Sequence, residues 1–114
     1  MHSLPLLALL LTAMASAQAP ASVTGIATVT DGDTLQIRGI KIRLHGIDAP
    51  ESSQTCTRAG QTYGCGRGAA FALADLVRGR NVTCKRRDTD RYGCMVGVCT
   101  VGGNGINRTL VTQG

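Results

Sequence analysis

Five short segments rich in β-branched residues, one helical segment after the third, and strand ends rich in Asp and Gly predict a mainly β, α+β protein. That order matches a five-stranded OB-fold barrel with one helix after strand 3. Residues 23–29 read as the first strand, dense in Val, Ile and Thr. Asp31-Gly32-Asp33 is a turn. Residues 34–38 are a second strand, and Gly39 turns the chain back. Residues 40–47 alternate: Ile40, Ile42 and Leu44 face one side, and Lys41, Arg43 and His45 the other. Asp48-Ala49-Pro50-Glu51 ends this strand, because proline cannot continue a ladder. Residues 52–66 read as a polar loop and 67–78 as a helix. Phe71, Ala74 and Val77 are expected on its core face, widened by Ala70 and Leu73, with Gly79 as C-terminal cap. Residues 81–85 and 95–101 are two more strands joined by a turn over 88–93. After a loop at 102–105, residues 106–111 begin a second helix, expected to be incomplete at Gly114.

The N-terminus reads differently. Residues 4–15 are almost wholly apolar, and Ala15-Ser16-Ala17 forms an A-x-A cleavage site. Residues 1–17 are therefore expected to be a secretory signal peptide, although no Lys or Arg precedes the apolar run. The run is too short to span a bilayer as a helix. Gln18 would open the mature chain, with 18–22 a linker and 23–114 one domain. The expected product is secreted or periplasmic, with no membrane anchor after cleavage.

A domain of roughly 100 residues buries only about two-thirds of its unfolded surface. With one Phe, two Tyr and no Trp, its core is light and aliphatic. Disulfides would help, and export permits them. The five cysteines are Cys56, Cys65, Cys84, Cys94 and Cys99. Cys56 and Cys65 flank a short loop, and Cys84 and Cys99 lie on predicted strands equidistant from a turn. Cys56–Cys65 and Cys84–Cys99 pairing leaves Cys94 over, either free in a monomer or linking a dimer. No C-x-x-C is present and His is scarce, which disfavours a thiolate metal site.

The net charge of +5 favours a polyanionic partner, nucleic acid above all. Against it stands a local excess of acid: Asp31, Asp33, Asp48 and Glu51 lie at two predicted strand ends. Taken singly, these are turn residues. Brought to one rim they would repel unless a cation sat between them, and Ca²⁺ takes carboxylate and backbone carbonyl oxygens. Arg43 stands five positions before Asp48, and its planar fork suits a phosphate. Metal, Arg and a further carboxylate are the equipment of phosphodiester hydrolysis. The scarcity of aromatic residues argues against strong base stacking.

Three blocks carry a resemblance: Val29-Thr30-Asp31-Gly32-Asp33-Thr34, residues 42–51 (IRLHGIDAPE), and Asp90-Arg91-Tyr92-Gly93. Together with Asn107 and the Leu110-Val111-Thr112-Gln113-Gly114 ending, they resemble the signature of the staphylococcal-nuclease-like (thermonuclease) family. The resemblance runs over residues 23–114. It implies an OB-fold barrel and calcium-dependent hydrolysis of DNA or RNA. By position it implies Asp33 and Asp48 as calcium ligands with the Ala49 carbonyl, Glu51 as general base or water-orienting group, and Arg43 as phosphate-binding arginine. Arg91 and Tyr92 would contact a terminal phosphate of the substrate.

Two departures follow. Cys94 stands where the family places its second catalytic arginine, directly after D-[RK]-Y-G. And family members continue beyond the L-V-x-x-G block, so this chain is expected to lack the C-terminal part of the domain. Substrate binding with impaired turnover is the expectation. The competing readings are an inactive barrel that binds nucleic acid or another polyanion, and a Cys94-linked dimer.

Overall fold

The structure is a computed structural model that describes residues 19–113. The expected signal peptide, residues 1–17, and the expected new N-terminus at Gln18 lie outside the described residues, as does Gly114.

The elements follow the order β1 (Ser22–Asp31), β2 (Thr34–Ile37), β3 (Ile40–Leu44), β4 (Cys56–Arg58), β5 (Gln61–Tyr63), α1 (Cys65–Val77), β6 (Asn81–Thr89), β7 (Met95–Val101), β8 (Asn104–Gly105) and α2 (Ile106–Gln113). Strands β1, β2 and β3 form an antiparallel meander, and β6 and β7 form a hairpin. Antiparallel pairing of β1 with β6 joins the two units. Parallel pairing of β3 with β7 closes the sheet, through Ile42–Met95, Arg43–Val96 and Leu44–Gly97. The result is a closed five-stranded mixed barrel with two helices, an OB-type α+β fold as the order of segments predicts. Closure removes the sheet edges that a small sheet would otherwise expose.

The inside is aliphatic. Leu35, Ile37, Ile42, Leu44, Leu73, Val82, Met95 and Ile106 are essentially inaccessible, and Cys84 and Cys99 lie among them. Each fully buried side chain of this kind contributes roughly 1.5–3 kcal/mol. Cys84 and Cys99 are directly opposite across β6 and β7 and form a disulfide; Cys56 and Cys65 form the other. Cys94 is free and half-buried.

Four local expectations are corrected. Strand 3 ends at Leu44 rather than 47, because Ile47 N–H donates to the Leu44 carbonyl (3.2 Å) and closes a turn. The stretch expected as loop, 52–66, contains the β4–β5 hairpin, whose turn holds Ala59 and Gly60 at positive φ. The strand begun at Asn81 runs on to Thr89 through a bulge between Arg86 and Asp88. Phe71 does not face the core: it is 57% exposed.

The rotation of α1 explains Phe71. Its buried residues are Gly66, Leu73 and Val77. Phe71 is two residues from Leu73, about 200° around the helix and so on the opposite side. Two close approaches fix that rotation. A Cβ on Gly66 would collide with the Glu51 carbonyl oxygen, and one on Gly32 would come within 2.6 Å of Ala69 Cβ. Helix and acidic turns thus meet backbone to backbone. The helix stops where Gly79 takes φ +65°, as its expected capping role requires.

Asn107 ties α2 to the parallel seam. Its Oδ1 accepts from Cys99 N–H (3.0 Å), and its Nδ2 donates to the carbonyls of His45 (2.8 Å) and Gly97 (3.1 Å). Asn107→Ala leaves all three backbone groups without these partners. We expect a stability loss of about 1–3 kcal/mol, read as a lower urea midpoint at unchanged slope. A midpoint equal to the parent's would refute this role.

Candidate active site

The ends of β1 and β3, and the turn before β7, meet at one rim of the barrel. There a cleft of ≈ 440 Å³ is lined by Asp31, Asp33, Thr34, Lys41, Arg43, Asp48, Ala49, Glu51, Asp90, Tyr92 and Cys94. Of the residues singled out in the sequence, Asp33, Asp48, Ala49, Glu51, Arg43, Tyr92 and Cys94 come together here. Arg91 does not line the cleft; its guanidinium lies over the Tyr92 ring at 5.6 Å.

Asp33 is the anchored member. It is 8% exposed, and its carboxylate accepts from the Thr34 hydroxyl (2.8 Å) and from Ala49 N–H (3.2 Å). Its own carbonyl accepts from Leu44 N–H (2.8 Å). Asp33 thereby binds the start of β2 to both the end of β3 and the loop that carries Asp48. Asp31 holds the next stretch, accepting from Ser52 N–H (2.7 Å), just beyond Glu51. The loop is held again where Gln54 N–H donates to the Glu51 carbonyl (2.8 Å) and Gly66 N–H donates to that of Gln54 (3.1 Å).

Arg43 lies in the closing seam. Its pairing partners are Thr34 on β2, beside Asp33, and Val96 on β7, two residues beyond Cys94. Strand alternation sends its side chain outward, since Ile42 and Leu44 on either side are buried. Among the described residues the one ion pair is Arg78 with Asp75 on α1, so the acids and bases of the cleft are not paired with one another. A cation unsaturated by carboxylate is available to a phosphate.

The turn before β7 is organised by Asp90, whose Oδ1 accepts from Tyr92 N–H (2.9 Å) and Cys94 N–H (2.8 Å). Asp90 N–H donates to the Cys94 carbonyl (2.9 Å). Lys41 and Asp90 line the cleft without a role assigned from sequence. Lys41 was signalled by alternation, on the face of Arg43; Asp90 by its place before a Gly-containing turn.

The residues lining the cleft fit a hard divalent cation in kind: four aspartates and a glutamate share one space with Ala49. Among the described residues no three acidic, His or Cys side chains form a ready-made metal cage. Asp33, Asp48 and Glu51 share a cleft rather than a closed cluster.

An OB-type barrel with an acidic, arginine-bearing cleft at its rim defines the class. The chain belongs to the staphylococcal nuclease family: residues 41–114 match the family described as staphylococcal nuclease homologue. It is similar to the succinoglycan biosynthesis protein ExoI of Rhizobium meliloti, with 42% identity over 112 residues, 96% of this chain and 58% of the relative. An uncharacterized endonuclease of Haemophilus influenzae is 32% identical over 113 residues, 95% of this chain and 58% of the relative. A micrococcal nuclease of Shigella flexneri is 36% identical over 77 residues, 64% of this chain and 39% of that protein. The chain spans just under three-fifths of the length of the first two relatives.

Proposed function

We propose that the protein is a calcium-dependent nuclease-like hydrolase of DNA or RNA whose turnover is held down by Cys94. The observation that carries this reading is the single cleft shared by Asp33, Asp48, Glu51 and Arg43 in a chain of this family. Asp33, Asp48 and the Ala49 carbonyl would hold Ca²⁺. When bound, that ion supplies Lewis-acid polarisation of a phosphoryl oxygen. Arg43 binds the non-bridging oxygens and neutralises charge that develops on them. Glu51 orients a water or takes its proton. Tyr92, 80% exposed at the lip with Arg91 over its ring, would meet a terminal phosphate.

The test is cleavage of single-stranded DNA and of RNA with calcium and with excess chelator. Chelation is expected to abolish cleavage and the buried Asp33→Asn to lower it at least ~100-fold, as for loss of a main electrostatic group. Equal rates with and without calcium would refute the calcium reading. Cys94 favours a second reading, an inactive barrel that binds polyanions. Salt-sensitive binding without any cleavage, calcium present, would establish it.

We also propose export to a periplasm or the cell exterior. The apolar stretch at residues 4–15 and the two disulfides support it. Among the described residues no helix is long and apolar enough to cross a membrane.

A further inference from the structure

The chain contains one Phe, two Tyr and no Trp, and none of these rings is in the core. Phe71, Tyr63 and Tyr92 are 57%, 42% and 80% exposed. A small barrel in need of core volume gains most by burying its rings, so the fold alone does not account for their position. Each ring also carries a guanidinium: Arg58 over Tyr63 at 5.4 Å, Arg67 over Phe71 at 5.8 Å and Arg91 over Tyr92 at 5.6 Å. Tyr92 belongs to the cleft. The other two pairs do not.

A hollow beside the cleft reaches the start of the hairpin that carries the first of these pairs. Asp48 and Ala49 line both the cleft and a neighbouring hollow completed by Pro50, Gln54 and Cys56. Cys56 is paired across the hairpin with Tyr63. α1 begins two residues after Tyr63, at Cys65, and Phe71 stands one turn beyond Arg67 along it. The strip is braced by the Cys56–Cys65 disulfide and the Gln54–Gly66 hydrogen bond. From residue 52 to 74 the chain has no Asp or Glu, and its only charges are Arg58 and Arg67. Asp75, one turn beyond Phe71, is paired with Arg78. Between Ser52 and Ala74 the surface offers cations and exposed rings without acid, complementary to a single strand whose phosphates meet the guanidinia and whose unpaired bases stack on the rings.

We infer that a single-stranded polynucleotide running out of the cleft lies across the β4–β5 hairpin and the first turns of α1, held by Arg58 with Tyr63 and by Arg67 with Phe71. This rests on the nuclease reading and adds to it a track for the strand beyond the reacting phosphate. It departs from the sequence-based expectation against strong base stacking: the rings are few, but all are exposed.

The experiment measures binding by fluorescence anisotropy, in chelator so that nothing is cut. The probes are an oligothymidylate of about 12 nucleotides, one of about 3, an abasic strand of the longer length and a duplex of that length. The protein is compared with Tyr63→Ala/Phe71→Ala, both exposed positions, with urea midpoints confirming that the variant folds. The parent should bind the long strand much more tightly than the abasic strand or the duplex. The double variant should lower the long-over-short affinity ratio about 25-fold or more, roughly fivefold for each stacked base. Tyr63→Trp/Phe71→Trp should restore it. An unchanged ratio, or an abasic strand bound as tightly as the oligothymidylate, overturns the track. If cleavage with calcium persists in that case, only the track fails. If the parent neither binds nor cuts any polynucleotide, the nuclease reading fails with it.

Discussion

Cys94→Arg is expected to accelerate calcium-dependent DNA cleavage at least tenfold. A single transition-state arginine or oxyanion donor is worth about 10²- to 10⁵-fold in rate, and on the proposed reading Cys94 stands where a second arginine would act. Cys94 lines it, half-buried, at the end of the turn that Asp90 organises and one residue before β7. Arg43 lies across the seam, opposite Val96. An arginine at 94 would therefore enter from the turn before β7 while Arg43 enters from β3, offering two cations to a bound phosphate. A thiol in that position brings no positive charge. Initial rates on a defined single strand should rise for Cys94→Arg, rise less for Cys94→Lys, and stay flat for Cys94→Ser. A rate for Cys94→Arg within threefold of the parent would show that the missing arginine is not what limits turnover.

The second large effect is on stability. Removal of the Cys84–Cys99 disulfide, by Cys84→Ala with Cys99→Ala, is expected to cost about 2–5 kcal/mol. The bond spans a sequence separation of 15, for which chain entropy alone gives about 3 kcal/mol. Both sulfurs lie in the fully buried interior, so alanines also leave unfilled volume. In a domain this small each kcal/mol lowers Tm by about 4–8 °C, and the total is a large fraction of the whole stability. Calorimetry of the double variant should show a loss of 10 °C or more. Cys56→Ala with Cys65→Ala should move Tm less, because that bond joins half-buried residues of β4 and the start of α1, outside the barrel core, where alanines leave no buried cavity. A larger loss at the hairpin than in the barrel would invert this ranking.

Much of this architecture was legible in the residues because the signals were local. Alternation at Ile40, Ile42 and Leu44 located the inner face of β3 and, on its other side, Lys41 and Arg43. The equal spacing of Cys84 and Cys99 about a turn gave their pairing, and Gly79 marked the end of α1. What escaped depends on tertiary contact. The rotation of α1 is set by Gly66 against the Glu51 carbonyl and Gly32 against Ala69, contacts between segments remote in the chain, and so the side occupied by Phe71 could not be read from helical periodicity. The β4–β5 hairpin escaped because Ala59, rather than an Asn or Gly, takes the first left-handed position of its turn. For the site, the acidic clusters marked both strand ends, and Asp90 was legible as a turn residue, but that its turn forms the third side of the cleft depends on the β3–β7 pairing between remote segments.

The cleft draws on two unequal contributors. Asp31, Asp33, Arg43, Asp48 and Glu51 arrive on one continuous stretch between positions 31 and 51, whereas Asp90, Tyr92 and Cys94 arrive on a loop secured chiefly to its own aspartate. Such a loop is an interchangeable fitting. If the proposed activity holds, grafting a different 90–94 segment should retune its rate while leaving Asp33, Asp48 and Glu51 in place, so that speed could be adjusted by a change confined to one hairpin tip.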